Sequence, residues 1–284
     1  MDPVRLTFTA SDGLTLVADA YGDPQAAPVI LAHGGGQTRH AWGGTAAALA
    51  RAGWYAVAYD QRGHGESDWS AELHYDIACF ADDLTTIARS FSTKPAVVGA
   101  SLGGVCAMLA EGEEPREVFS AIVLVDITPR VEDAGADRIM HFMTDKVDEG
   151  FATLEEVADA VAAYQPHRTR PSNLSGLEKN VRLGEDGRYR WHWDPAWIRW
   201  AQEARVSRDP ERLPAAARTI GCPVLLVRGR MSDLVSMDKV EDFLATVPHA
   251  RFVDVAGAAH MVAGDRNDVF TEAVAGFLGE LRSA

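Results

Sequence analysis

The chain has no apolar run approaching the roughly 18 residues that a membrane-spanning helix needs. Its opening, MDPVRLTF, has neither the basic start nor the apolar stretch of a secretory signal. A soluble, cytoplasmic protein without membrane partners is therefore expected. Cysteine is scarce: Cys79, Cys106 and Cys222 are odd in number, far apart and free of C-x-x-C spacing. That pattern excludes a disulfide framework and a zinc site, so reduced packing residues and no metal are expected. Positive charge is also short, with 27 Lys and Arg against 41 Asp and Glu and a formal net charge of −14. Such a balance repels polyanions and argues against nucleic acid as a partner. G-x-G-x-x-G is absent, so the glycine-rich loops are not a dinucleotide site. Internal repeats and low-complexity segments are missing too.

What is present is a chain of 284 residues with 47% hydrophobic content, ample for one large core. Residues 4–21 alternate apolar and polar around Ser11-Asp12-Gly13, the pattern of a hairpin with a D-G turn. APVILA is a buried strand running into glycines. A helix from about Trp42 to Ala52 follows, with Gly53 suited to its C-cap, and WYAVAYD is the next strand. Ile77, Phe80, Leu84, Ile87 and Phe91 fall at helical spacing within 74–91, and FSAIVLVDIT at 119–128 is another apolar strand.

Strands alternating with helices imply a parallel sheet covered on both faces, an α/β architecture. The alternation stops from about Pro129 to Ala217 and returns with CPVLLVRGR, ARFVDVAG and a last amphipathic helix at about 268–282. The chain therefore divides into a core of residues 1–128 and 218–284 and an inserted helical cap of residues 129–217.

The core is organised around Gly99-Ala100-Ser101-Leu102-Gly103, a G-x-S-x-G pattern between the apolar strand KPAVV and the helix-forming GGVCAMLAEGE. A serine on a sharp strand-to-helix turn has a strained backbone, and its neighbours two positions away approach too closely to carry side chains. Ser101 is thus the candidate nucleophile, with the backbone N–H of Leu102 at the helix start placed to stabilise an oxyanion. A serine hydroxyl needs a general base, and the base needs an orienting group. Among the nine histidines, His260 follows a strand and a small-residue turn, which suits the base. His33 shapes the glycine loop, His64 in the RGHG loop is structural, His249 lies at a helix end, and His74, His141, His167 and His192 fall in helical or cap segments. For the acid, Asp233 stands in a loop directly after its strand and is preferred. Asp126 also ends a strand but is followed by Ile127 and is open to a backbone hydrogen-bonding role at the cap's entry; the chain alone leaves both available. The loop His33-Gly34-Gly35-Gly36 suits the second half of an oxyanion hole, with Gly35 assigned and Gly36 the close alternative.

HGGG at 33–36, DQRGHGESD at 60–68, GASLGG at 99–104, SD at 232–233 and AGAAHM at 256–261 together resemble the α/β-hydrolase superfamily across nearly the whole chain. The resemblance implies a mostly parallel eight-stranded sheet flanked by helices, a cap after the sixth strand, and no cofactor. It also implies that the usual acid follows the seventh strand, here Asp233, with the sixth-strand position of Asp126 used in some members. Ala259 departs from the glycine many relatives have before the histidine.

With serine at 101, the aspartate-dependent haloalkane dehalogenase and epoxide hydrolase reactions of such folds are excluded. The expected function is hydrolysis of a small to medium carboxylic ester or lactone, with water as co-substrate, through an acyl-enzyme on Ser101. Carbon–carbon bond (diketone) hydrolysis, cofactor-free perhydrolase or haloperoxidase activity, and a ligand-binding receptor on the same scaffold are the alternatives. Four tryptophans lie within 189–200. Trp193, Trp197 and Trp200 are spaced as on a helix, fitting cap packing or, for Trp193 and Trp197, the wall of a substrate pocket. Residues 165–215 hold 10 Lys and Arg against 7 Asp and Glu, a local excess compatible with an anionic substrate group or a solvated, ion-paired face. A monomer or homodimer is expected.

Overall fold

In the computed structural model, which describes residues 2–166, 170, 173–207, 209–260 and 267–283, the apolar runs become strands. β1 (Val4–Thr9) and β2 (Thr15–Tyr21) form the hairpin around Asp12-Gly13, pairing antiparallel from Val4 opposite Ala20 to Thr9 opposite Thr15. β3 (Pro28–Ala32), β4 (Tyr55–Tyr59), β5 (Ala96–Ala100) and β6 (Ala121–Val125) follow. β7 (Val181–Leu183) and β8 (Tyr189–Trp191) form a separate small sheet, and β9 (Val224–Gly229) and β10 (Arg251–Val255) complete the main one. Its eight strands run in the order β1-β2-β4-β3-β5-β6-β9-β10. β2 is antiparallel to β4, and every pair from β4 to β10 is parallel.

Successive strand residues point to opposite faces, so a strand covered on both sides must be apolar throughout. Val29, Leu31, Val98, Val123 and Leu225 pack with α1 (Gly43–Arg51) and α9 (Asn267–Ser283), through Leu49, Phe270 and Phe277. Ile30, Val97, Ile122, Leu124 and Leu226 pack on the other face with α2 (Ile77–Arg89), α3 (Leu102–Gly112) and α8 (Met237–Thr246). The helix expected from residue 74 starts at Ile77, because the Asp76 carboxylate accepts the Ala78 N–H at 2.8 Å and so caps it there. Among the described residues no helix is long and apolar enough to cross a membrane.

Between β6 and β9 the chain forms α4 (Asp133–Thr144), α5 (Leu154–Tyr164), the β7–β8 hairpin, α6 (Pro195–Ser207) and α7 (Arg212–Thr219). The hairpin departs from the all-helical reading of this segment. Its turn is built on Asp186-Gly187, with Gly187 at φ +75° and the Gly184 N–H donating to the Arg188 carbonyl at 2.8 Å. Trp193 consequently lies ahead of a helix, and only Trp197 and Trp200 lie on α6.

α7 lies directly on α3. The Thr219 hydroxyl donates to the Gly112 carbonyl at 2.8 Å, and a Cβ built on Gly112 would stand 2.2 Å from the Ala216 carbonyl oxygen. Replacement Gly112→Ala is expected to force these helices apart and lower unfolding stability by about 1–3 kcal/mol. A shifted denaturant midpoint with an unchanged slope would report it.

Candidate active site

The turn between β5 and α3 is where backbone crowding is greatest. A Cβ on Gly99 would lie 2.5 Å from the Gly103 carbonyl oxygen, and one on Gly103 would lie 2.3 Å from that of Ala32. Ser101 itself has φ +45° and ψ −112°, a conformation that a side-chain-bearing residue adopts only when its surroundings enforce it. This strain lifts its side chain to the edge of the sheet, where it lines a cavity of about 1200 Å³.

His260 lines the same cavity. Its Nδ1 lies 2.8 Å from Oδ2 of Asp126, so the ring donates there and carries its lone pair on Nε2. The carboxylate at His260 is therefore Asp126 and not Asp233. β6 ends because Asp126 turns into the left-handed region at φ +49°, carrying its carboxylate toward the end of β9. There it also accepts the Gly229 N–H at 3.1 Å and the Ser232 hydroxyl at 2.6 Å, with its side chain 0% exposed. Asp233 points the other way. Its side chain is 37% exposed and pairs at 2.9 Å with the guanidinium of Arg138 on α4. Of the Ser232-Asp233 pair, the serine reaches the site.

The glycine loop after β3 touches this turn. A Cβ on Gly34 would be 3.3 Å from Cβ of Ser101, and one on Gly35 would be 3.1 Å from the Trp197 ring. The Gly34 N–H is taken by the Gln37 side chain at 2.9 Å, and that of Gly36 by Nε2 of His64 at 3.1 Å. The amides of Gly35 and Leu102 have no such partner among the described residues. Two uncommitted N–H groups beside a serine are what a developing oxyanion needs. A neutral ring explains each nearby histidine. His33 accepts the Gln61 N–H at Nε2 and donates from Nδ1 to the Gly34 carbonyl at 2.8 Å. His64 donates from Nδ1 to the Arg62 carbonyl at 2.9 Å. His192, in the turn after β8, accepts the Gly65 N–H at 2.8 Å and donates from Nε2 to the Gly36 carbonyl at 3.1 Å. Burial pushes all three below the usual imidazole value, His192 to about 4.

The cavity walls are largely apolar. Phe80, Leu109 and Ile127 come from the core, and Met140, Met143, Trp193, Trp197 and Ile198 from the inserted segment. Trp193 stacks on Trp191 at 4.9 Å, and Trp197 packs edge-on against His64 at 4.2 Å. Both rings are therefore packing residues and wall residues at once. Arg138, Ser232 and the link between His64 and His192 were not read from sequence; each depends on side chains far apart in the chain.

Residues 23–267 match the family model described as serine aminopeptidase, S33. An esterase of Mycobacterium tuberculosis is 29% identical over 261 residues, covering 88% of this chain and 82% of its own. A 3-hydroxybutyrate-oligomer hydrolase of Cupriavidus necator is 30% identical over 253 residues, covering 84% and 85%. Among solved structures, that of E-2-(acetamidomethylene)succinate hydrolase superimposes with a TM-score of 0.83 at 26% identity, covering 98% of this chain and 99% of that one.

The buried histidines predict acid sensitivity. His192 is neutral in the fold and faces His33, His64, Asp60 and Arg182, whereas in the unfolded chain it takes up a proton near its ordinary value of 6.5. Stability is therefore full above about pH 7.5 and falls as pH drops through 6.5 towards 4. His192 alone is expected to account for about 2 kcal/mol between pH 7.5 and 5. Denaturant titrations across that range should show the decline, and His192→Gln should make it shallower.

Proposed function

Because the chain belongs to the serine aminopeptidase S33 family of α/β-hydrolases, we propose that it hydrolyses a carboxylic ester or lactone with Ser101 as nucleophile, His260 as base and Asp126 as the acid that orients it. The observation that carries this reading is the Nδ1 contact of His260 with the buried Asp126, in the same cavity as a serine on a strained strand-to-helix turn.

In the proposed reaction, Oγ of Ser101 attacks the carbonyl carbon while Nε2 of His260 takes its proton. The negative charge that moves to the carbonyl oxygen is met by the amides of Gly35 and Leu102. The tetrahedral adduct collapses, the carbon–oxygen bond to the alcohol breaks, and the alkoxide leaves with the proton from His260. Water, deprotonated by the same ring, then attacks the acyl-enzyme and releases the acid and free Ser101. Asp126 holds the Nδ1–H tautomer and stabilises the charged ring.

The cavity of about 1200 Å³ lies above the usual range for small-molecule sites, and its walls are mostly apolar. A medium-sized apolar acyl or alcohol group fits best, with Trp193 and Trp197 against it. The likeness to an esterase and to an oligomer hydrolase supports ester chemistry. A second reading, an ester with an added carboxylate, is favoured by Lys179, which lines the cavity without a carboxylate partner among the described residues. The likeness to a hydrolase acting on a succinate derivative agrees with it.

Fluorophosphonate labelling and turnover of p-nitrophenyl esters of graded chain length test the proposal, with a carboxylated ester in the set for the second reading. Labelling is expected in the wild type and lost in Ser101→Ala. Asp126→Asn is expected to lower kcat by about 10⁴-fold, and Asp233→Asn to leave it within a few-fold. Labelling that survives Ser101→Ala, or the opposite order of the two aspartate variants, would overturn the assignment.

A further inference from the structure

Gly36 is held at both of its backbone polar groups by imidazoles from opposite sides. Its N–H donates to Nε2 of His64, in the loop after β4, and its carbonyl accepts from Nε2 of His192, 156 residues along the chain in the inserted segment. The two rings are neighbours, with centroids 5.9 Å apart, and both are essentially buried. The other nitrogen of each ring is committed as well, His64 to the Arg62 carbonyl and His192 to the Gly65 N–H. Neither ring can turn without giving up a buried hydrogen bond.

The two bonds hold the peptide units on either side of the Gly36 Cα, one through its N–H and the other through its carbonyl, and the unit immediately before the first of them carries the Gly35 N–H. Gly36 sits at φ +73°, so its own geometry leaves a wide choice of conformations that nothing on the glycine restricts. The two rings remove that freedom. We infer that His64 and His192 are positioning residues that aim the Gly35 amide at the oxyanion, and that the inserted segment thereby supplies part of the frame of the oxyanion hole. The inference rests on the ester-hydrolase reading above. It assigns no contact with substrate to either ring; both act through Gly36.

Side-chain amides separate the two hydrogen bonds of each ring. At position 192, Gln places an N–H near Nε2 and keeps the contact to the Gly36 carbonyl. Asn places its oxygen near Nδ1 and keeps only the contact to Gly65. His192→Asn is expected to lower kcat for a p-nitrophenyl ester by about 10- to 30-fold with KM within twofold, while His192→Gln stays within a few-fold of wild type in kcat. His64→Asn and His64→Gln should repeat this order from the other side of Gly36, and they decide the matter if a variant at 192 fails to fold. The rate of fluorophosphonate labelling of Ser101 is measured alongside, because it draws on the same amides whether or not the ester is a good substrate.

Equal rates for Asn and Gln, or a loss confined to KM or to unfolding midpoint, would overturn the inference. Labelling rates that follow the expected order in an enzyme turning over no ester would overturn the ester reading and uphold the positioning role. No labelling of the wild type would overturn both.

Discussion

The arrangement depends on one buried carboxylate. Asp126 ends β6 and gathers a backbone N–H from the end of β9, a hydroxyl from the loop beyond it and the ring of His260 beyond β10. An unpaired buried carboxylate is costly, so these partners are held as much by its need for them as by their own packing. The strand order places β6, β9 and β10 side by side, and that makes the junction possible. The left-handed turn at Asp126 then directs the carboxylate inward.

That same adjacency explains why the carboxylate partner of His260 was not legible in the sequence. Val125 and Val227 are cross-strand partners, so Asp126 and the loop holding Asp233 emerge at neighbouring points on one sheet edge. Chain order and strand ends serve either residue equally well. The choice is made by the φ of Asp126 and by Arg138, which draws Asp233 away through a contact with a helix nearly a hundred residues earlier. The strained turn at Ser101 was readable because its signal is local, two glycines that permit close backbone approach. The main sheet was readable because strands buried on both faces must be continuously apolar. The β7–β8 hairpin was not, since three-residue strands are too short to display a period and only Asp186-Gly187 marked the turn.

Histidines illustrate the same limit. His33, His64 and His192 look unrelated in the chain, yet their rings lie in series behind the glycine loop, with centroid separations of 5.2 and 5.9 Å. Each is neutral for the same physical reason, loss of water around the charged form, and each accepts a backbone N–H that a protonated ring would repel. Paired hydrogen bonds also fix which nitrogen carries the proton in each ring, so the group behaves as rigid scaffolding at neutral pH.

Three further contacts between the inserted segment and the core meet at the loop at 63–65. The Asp194 N–H donates to the Gly63 carbonyl at 2.8 Å, the Arg182 guanidinium reaches the Gly65 carbonyl, and His192 takes the Gly65 N–H. A transplant of this segment onto another member of the fold would therefore not behave as an exchange of covers. A donor lacking equivalents of Arg182, His192 and Asp194 would leave the recipient's loop at 63–65 with orphaned backbone groups, however well its helices closed the cavity. Diversification of such enzymes by swapping insertions is constrained to junctions that leave the short stretch from β7 to the start of α6 with its own core.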